Sequence, residues 1–409
     1  MNKKRVLIVE PSFYGVKFVE AAKNLGNEVI VIVSKRSNPQ KYGYAASCDD
    51  LIVADIRDDN AIYQAIINSP YANLAALIPA TDYVTEVTAK VATRLGKFSN
   101  SVKATKRARN KDLAREQFAK NNVPSAKFQV VSNERDAKLA AYKIGYPLIL
   151  KPTNTASSID VFYIQNEAEL QMRFEQIVKL KTSYMNLPVR HEYIMEEFLT
   201  GPEFSVELFL YQNQIAFSDV TEKHTTQPPF FVELEHIFPT TIEIEKKSEI
   251  INTAYQAAQA LGFHDGPLHI EVKLTKNGPK IVEVNGRPGG DNITSDLMIN
   301  AYGVNIFEKT VQLYLHEKLS FKKTQQKFTA TVFFFAQSKG ILQKINGWNS
   351  MCQQSGVVRA SITKRVGSFV RPPENSDDRI GYAILCCNTL KELQQAINKV
   401  KNLVTLTVI

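Results

Sequence analysis

The chain has 409 residues, enough for roughly two to four domains at about 150 residues each and enough to bury a core without disulfides or a structural metal. Hydrophobic residues at 44% and charged residues at 22% exclude disorder and coiled coil. The net charge of +9 suits an anionic ligand, but the basic residues are spread thinly and do not interleave with aromatics on one face, so nucleic acid is not an expected partner.

Cys48, Cys352, Cys386 and Cys387 form no CxxC pair and no ligand spacing with the histidines, and read as reduced thiols. The apolar run 6–9 is too short for a signal-peptide core, and no stretch approaches the roughly 18 residues of a membrane span. A cytoplasmic chain with no membrane partner is expected.

Residues 5–9 and 29–33 are short β-branched runs around a helical pattern at 16–25, a βαβ unit. The unit repeats with a strand at 50–54, a helix at 60–68 and a strand at 74–78. This predicts a Rossmann-like parallel sheet over 1–100. Its first turn, 11–15, lacks GxGxxG, which disfavours a dinucleotide. Thr81 and Asp82 follow the last strand, where α/β sheets place ligands; helix capping explains them equally well.

A second segment, 101–190, opens on basic residues, with Lys111 beginning a helix. A strand at 128–131 and a helix at 134–143 follow. Lys151 then ends the strand 147–152, just before a small-residue loop, 154–160, that carries Ser157 and Ser158. Such a loop can fold over a triphosphate, with its N–H groups and both hydroxyls as donors. Each lysine taken alone reads as a solvated surface group. Residues 191–325 read as strands to 239, a helix at 250–261 and a hairpin at 268–287. A polar break at 322–327 precedes a small α+β segment, 326–409, with a helix near 389–399.

The hairpin carries the strongest chemistry. Polar groups alternate along 268–274 and 281–287. A two-residue turn at 277–278 would put Glu271 and Glu283 on opposite faces. A three-residue loop, 276–278, pairs them directly, with Cβ atoms about 5 Å apart. Carboxylates that close need a cation between them, and with Asn285 on the same face the set suits Mg²⁺ bridged to phosphate. A solvated strand face is the bland alternative. Gly286-Arg287-Pro288-Gly289-Gly290-Asp291 then sets an arginine where glycines let a ligand approach, fit to hold a carboxylate or an oxyanion. The stretch Glu196-Glu197-Phe198-Leu199 can meet an adenine edge through its backbone, and Glu203 can accept from ribose hydroxyls.

In this order the motifs resemble the ATP-grasp superfamily of carboxylate–amine ligases over roughly residues 1–320. The resemblance implies an α/β and α+β ATP-grasp fold, with Lys111 and Lys151 on ATP phosphates. It implies adenine at residues 196–199, ribose at Glu203, and two Mg²⁺ ions (Mn²⁺ as a substitute) on Glu271, Glu283 and Asn285. It also implies Arg287 and Lys151 as the catalytic residues, with Arg287 on the activated carboxylate. Within the superfamily the chain is most similar to bacterial L-amino acid ligases of dipeptide-antibiotic pathways, the bacilysin and rhizocticin type, in residues 150–159 and 233–239. That likeness carries substrate contact onto Glu233 and His236, with Gly290 and Asp291 beside Arg287. The implied partners are ATP and two amino acids, with a homodimer by analogy.

The bacilysin-type ligase has an aromatic where Asp291 stands, so Glu233, Glu235 and Asp291 suggest a cationic amino acid, such as arginine, on the acyl side. A purine-pathway or carboxylase-like ligase using bicarbonate is the alternative. The C-terminal segment is expected to cover the acyl-phosphate, with Asp377 and Asp378 as contributors.

Overall fold

The computed structural model of the chain describes residues 3–155, 160–183 and 187–409. It opens with four parallel strands, β1 (Arg5–Val9), β2 (Glu28–Val33), β3 (Asp50–Val53) and β4 (Ala76–Pro79), in the order β3-β2-β1-β4. β1 and β2 are buried on both faces between helices, which is why they read as continuous apolar runs rather than alternating ones. The loops after β1 and β4 meet: the Asp82 N–H donates to the Tyr14 hydroxyl at 3.1 Å.

A second sheet holds β5 (Phe128–Val131), β6 (Leu148–Pro152), β7 (Phe162–Ile164) and β8 (Tyr193–Glu197) in the antiparallel order β5-β8-β6-β7. Helices Glu134–Ile144 and Glu167–Ile177 pack on it, each opened by an asparagine cap, Asn133 and Asn166.

The remaining strands are β9 (Glu203–Tyr211), β10 (Gln214–Thr225), β11 (Glu233–Phe238), β12 (Gly266–Thr275), β13 (Gly278–Asn285) and β14 (Phe328–Phe334). After them come β15 (Gly340–Asn346), β16 (Val357–Ile362), β17 (Phe369–Val370), β18 (Gly381–Cys387) and β19 (Thr405–Val408). Eight of these form one sheet, β13-β12-β9-β10-β11-β14-β18-β16, while β15, β17 and β19 form a small one. The polar break at 322–327 therefore separates segments in sequence but not in the sheet, because β14 pairs antiparallel with β11.

Helix Ile244–Leu261 packs on the hairpin side of the large sheet and starts ahead of the expected 250. Its first turns are charged and exposed, so they carry no apolar period to read. Among the described residues no helix is long and apolar enough to cross a membrane.

Candidate active site

The hairpin brings Glu271 and Glu283 into direct cross-strand register, as the loop argument required, but by another route. Thr275 pairs with Gly278, so the loop has only residues 276–277, with Gly278 at φ 94°. A bulge between Glu271 and Val272, opposite Ile281 and Glu283, then shifts the register by one and turns both carboxylates to the same face. Asn285 lies two residues on, paired with His269.

One side of this pair faces a cleft against β6 and β8. Lys151 sits at the end of β6 and Lys111 at the start of helix Lys111–Lys120, and both are buried. Lys151 Nζ lies 2.6 Å from Glu196, whose other oxygen is 2.8 Å from Arg115 Nε. Burial alone would raise the Glu196 carboxyl, yet Arg115 and Lys151 hold it below the usual range. Burial likewise lowers the Lys151 ammonium, against the pull of Glu196. Lys111 Nζ donates to the Thr155 carbonyl at 2.7 Å and to Glu283 at 3.3 Å.

Of the four residues expected at adenine, Glu196 thus has its carboxylate taken by two cations. Glu197 is tied to Lys280 at 2.6 Å. Phe198 and Leu199 line the cleft, with Phe198 packed edge-on to Tyr163 at 4.9 Å. Glu203 lines it too, 2.9 Å from Lys223 and 3.4 Å from Lys273. Ser157 and Ser158 lie outside the described residues.

Sequence reasoning missed Lys223. It lies on β10, opposite Glu203 in register, and its ammonium also stands 2.9 Å from Glu271 and 3.7 Å from Glu233. Burial opposes its charge, but the surrounding carboxylates raise its pKa well above the usual lysine range. Conversely burial would raise Glu271, yet Lys223 and His269 hold it well below a normal carboxyl. His269 was also missed. It is buried, 2.7 Å from Glu207 through Nδ1 and 3.8 Å from Glu271 through Nε2. Burial would depress its pKa, but Glu207 pushes it up to about 9.

Glu271 and Glu283 therefore each already hold a cationic group, the behaviour of a cation-binding pair. Among the described residues no three His, Cys, Asp or Glu side chains cluster as a metal cage. Two carboxylates and the Asn285 amide fit a Mg²⁺ whose remaining ligands come from phosphate and water.

On the other side lies a cavity of about 780 Å³, walled by the loops after β1 and β4, the hairpin and the C-terminal segment. Arg287 reaches into it. Its Nε donates to Asp82 at 2.9 Å and its guanidinium lies 4.8 Å above the Tyr14 ring. Burial would raise the Asp82 carboxyl, but Arg287 and Arg109 hold it down. Asp82 therefore does more than cap a helix, and its side chain caps none. Gly290 lines the cavity, and at Gly289 a Cβ would stand 2.7 Å from Glu207 and 2.8 Å from His269.

Glu233 and His236 both line this cavity, although their spacing puts them on opposite faces of a regular strand. A bulge at Leu234, where Thr225 pairs with Glu233 and His224 with Glu235, brings them to one face. The same bulge corrects the expected acidic lining. Glu235 points away, 2.9 Å from His224 and 2.7 Å from Lys401. Asp291 lines the cavity but is matched by Arg379, which also holds Glu233 at 3.0 Å. Burial would raise the Asp291 carboxyl, yet Arg379 and His236 hold it well below its usual range. Of the two C-terminal aspartates, Asp377 lines the cavity. Asp378 is buried and structural, accepting from Arg371 and from the Glu374 and Asn375 backbone.

Residues 144–296 match the ATP-grasp domain family and residues 332–408 match L-amino acid ligase C-terminal domain 2. Alanine–anticapsin ligase of Bacillus subtilis is 33% identical over 225 residues, covering 51% of this chain and 47% of the relative. Dapdiamide A synthase of Enterobacter agglomerans is 29% identical over 223 residues, covering 54% and 51%. The matched region thus spans about half the length of these relatives. The crystal structure of an L-amino acid ligase from Bacillus licheniformis superposes with a TM-score of 0.84 at 20% identity, covering 100% of both chains.

Proposed function

We propose that this chain is an ATP-grasp carboxylate–amine ligase that activates the carboxylate of one L-amino acid with ATP and joins it to the amine of a second. The observation that carries this proposal is the placement of Glu271 and Glu283 between two spaces, a lysine-lined cleft and a cavity headed by Arg287. A nucleotide in the cleft then presents its γ-phosphate to a carboxylate held by Arg287.

In the first step a carboxylate oxygen attacks the γ-phosphorus. The bond to the β–γ bridging oxygen breaks, and ADP leaves with the electron pair. Lys111, Lys151 and Lys223 gather the phosphate charge, and positioning with electrostatics supplies most of the acceleration. Glu271, Glu283 and Asn285 would hold Mg²⁺, two ions in the full reading, with Mn²⁺ fitting the same ligands; the metal neutralises phosphate charge. In the second step the neutral amine attacks the acyl carbon. Arg287 stabilises the oxyanion, phosphate departs, and the amine proton passes to a carboxylate such as Glu233.

The cationic acyl-side residue expected from three acidic side chains keeps a weaker basis, since Glu235 faces away and Arg379 matches the other two. Relatives whose names declare alanine–anticapsin and dapdiamide ligation support amino acids as the substrate class.

Nucleotide and product analysis by mass spectrometry, with ATP, Mg²⁺ and paired L-amino acids, tests the proposal. ADP and phosphate appearing with a dipeptide mass are expected. AMP and pyrophosphate, or ADP release with bicarbonate and no amino acid, would overturn it.

A further inference from the structure

We infer that Arg379 sets the side-chain charge that the amino-acid cavity accepts, by cancelling one of the two carboxylates, Glu233 and Asp291, that face it. The inference rests on the amino-acid ligation proposed above. Arg379 comes from the C-terminal segment, just before β18, and its guanidinium carbon lies 3.8 Å from the Phe333 ring centroid. Its two terminal nitrogens donate to both oxygens of Asp291 at 2.8 and 2.9 Å, and one of them also to Glu233 at 3.0 Å. The side chain is only 13% exposed. Bidentate, desolvated pairing of this kind fixes both partners in place.

The backbone beneath shows how firmly this corner is held. Asp291 and Asn292 have φ of 50° and 66°, two successive non-glycine residues in the left-handed region. Such strain persists only where the surroundings over-determine it. Arg379 holds the first, and Arg359 holds the second through a 2.9 Å hydrogen bond to its side chain.

The charges of the cavity wall then count simply. Arg287 is matched by Asp82, Arg359 by Asp296 and Lys17 by Glu20. Lys364 and Asp377 are opposite in sign, Lys223 is matched by Glu271, with Glu203 also held by Lys273, Glu283 is matched by Lys111 and His269 by Glu207. Glu233, Asp291 and Arg379 remain, with a net charge of −1. A single α-ammonium matches that charge. A lysine or arginine side chain brings a second positive charge and meets no second free carboxylate.

His236 looks into the same space. It is 1% exposed, its Nε2 is 3.6 Å from Asp291, and neither ring nitrogen has a hydrogen-bond partner among the described residues. A buried polar group without a partner on a cavity wall points to a bound polar ligand. The cavity therefore takes an amino acid with an uncharged side chain on the acyl side.

The test compares kcat/KM for leucine and lysine as acyl-side substrates, against a common amine-side amino acid, in the wild type, R379Q, R379K and the double variant D291N/R379Q. Fragmentation of the dipeptide assigns the sides. The wild type is expected to favour leucine. R379Q leaves a net −2 and is expected to raise the lysine-to-leucine ratio by about tenfold or more, with KM for ATP unchanged. R379K is expected to keep the wild-type ratio, and the double variant to restore it. An R379Q ratio unmoved in a protein that melts like the wild type overturns the inference and leaves the ligase proposal standing. A wild type that prefers lysine also overturns it. A wild type without amino-acid-dependent ADP release overturns the ligase proposal itself. Should R379Q fail to fold, D291N reads the same charge from the other side. It brings the set to zero and is expected to raise KM for neutral amino acids about tenfold; an unchanged KM overturns the inference.

Discussion

Arg287 and Asp82 are 205 residues apart in sequence and joined by a 2.9 Å hydrogen bond. The parallel-sheet domain thereby reaches across the cavity to hold the arginine that follows the hairpin. A hydrogen bond to a charged group is worth about 1.5–3 kcal/mol, and each 1.36 kcal/mol is tenfold in rate. Asp82→Asn is therefore expected to lower kcat/KM for the acyl-side amino acid about 10- to 100-fold, with KM for ATP little changed. Steady-state kinetics with each substrate varied in turn check this, and an equal loss for both substrates would count against the orienting role.

Under the proposed function, replacing either hairpin carboxylate acts through the Mg²⁺ that it would hold. Glu271→Gln and Glu283→Gln are each expected to raise the Mg²⁺ concentration for half-maximal turnover by tenfold or more and to cut kcat about 100-fold. Mg²⁺ titration at fixed ATP reads both effects. A wild-type Mg²⁺ dependence in either variant would remove that residue from the metal set.

The triad of Arg115, Glu196 and Lys151 is nearly dry, with side-chain exposures of 2%, 5% and 8%. Taking the carboxylate away leaves two buried cations facing each other, so Glu196→Gln is expected to cost about 3–5 kcal/mol of stability. Burial would raise the Glu196 carboxyl, but the two cations hold it below its ordinary value of 4.5. With the folded pKa depressed, its contribution is intact above about pH 4.5 and is lost as pH falls below that towards the folded value. Denaturant unfolding from pH 7 down to 3 should show the gap between wild type and variant narrowing only below that point.

Gly289 has no room for a side chain, since a Cβ would sit 2.7 Å from Glu207 and 2.8 Å from His269. Gly289→Ala is expected to part these two partners, lower the melting temperature by an amount equivalent to about 1–3 kcal/mol, and reduce turnover. Gly290→Ala, whose Cβ would meet the Tyr14 ring at an ordinary 3.7 Å, should be much milder. Melting curves of the two variants side by side decide the matter.

Features written locally in the chain were legible. The parallel strands, Lys111 at a helix start and Lys151 at a strand end all follow from period and caps. What stayed hidden depends on register between distant strands. Nothing near Lys223 marks it, because its importance comes from lying opposite Glu203. Two bulges also escaped. At Glu271 the error cancelled, since a shorter loop and an extra residue give the same pairing. At Leu234 it did not: Glu235, expected in the acidic lining, faces away, while the bulge leaves Glu233 and His236 on the cavity wall. Arg379 belongs to a segment without a motif, and its role appears only once β14 and β18 bring that segment beside β11.

The unbroken ladder from β13 to β16 also has a mechanical consequence. The glutamate pair, the bulged strand with Glu233 and His236, and β18, which follows Arg379, are rungs of one sheet, so this wall of the cavity keeps its shape, while the wall formed by the loops after β1 and β4 meets it through side chains such as Asp82 with Arg287. Among the described residues the β5–β8 sheet has no such ladder to the hairpin. It meets it through a bridge, Ser125 to Ile281, and through side-chain pairs such as Lys280 with Glu197. The cleft against β6 and β8 is therefore a side that can open without parting a ladder, and under the proposed function the nucleotide would pass there.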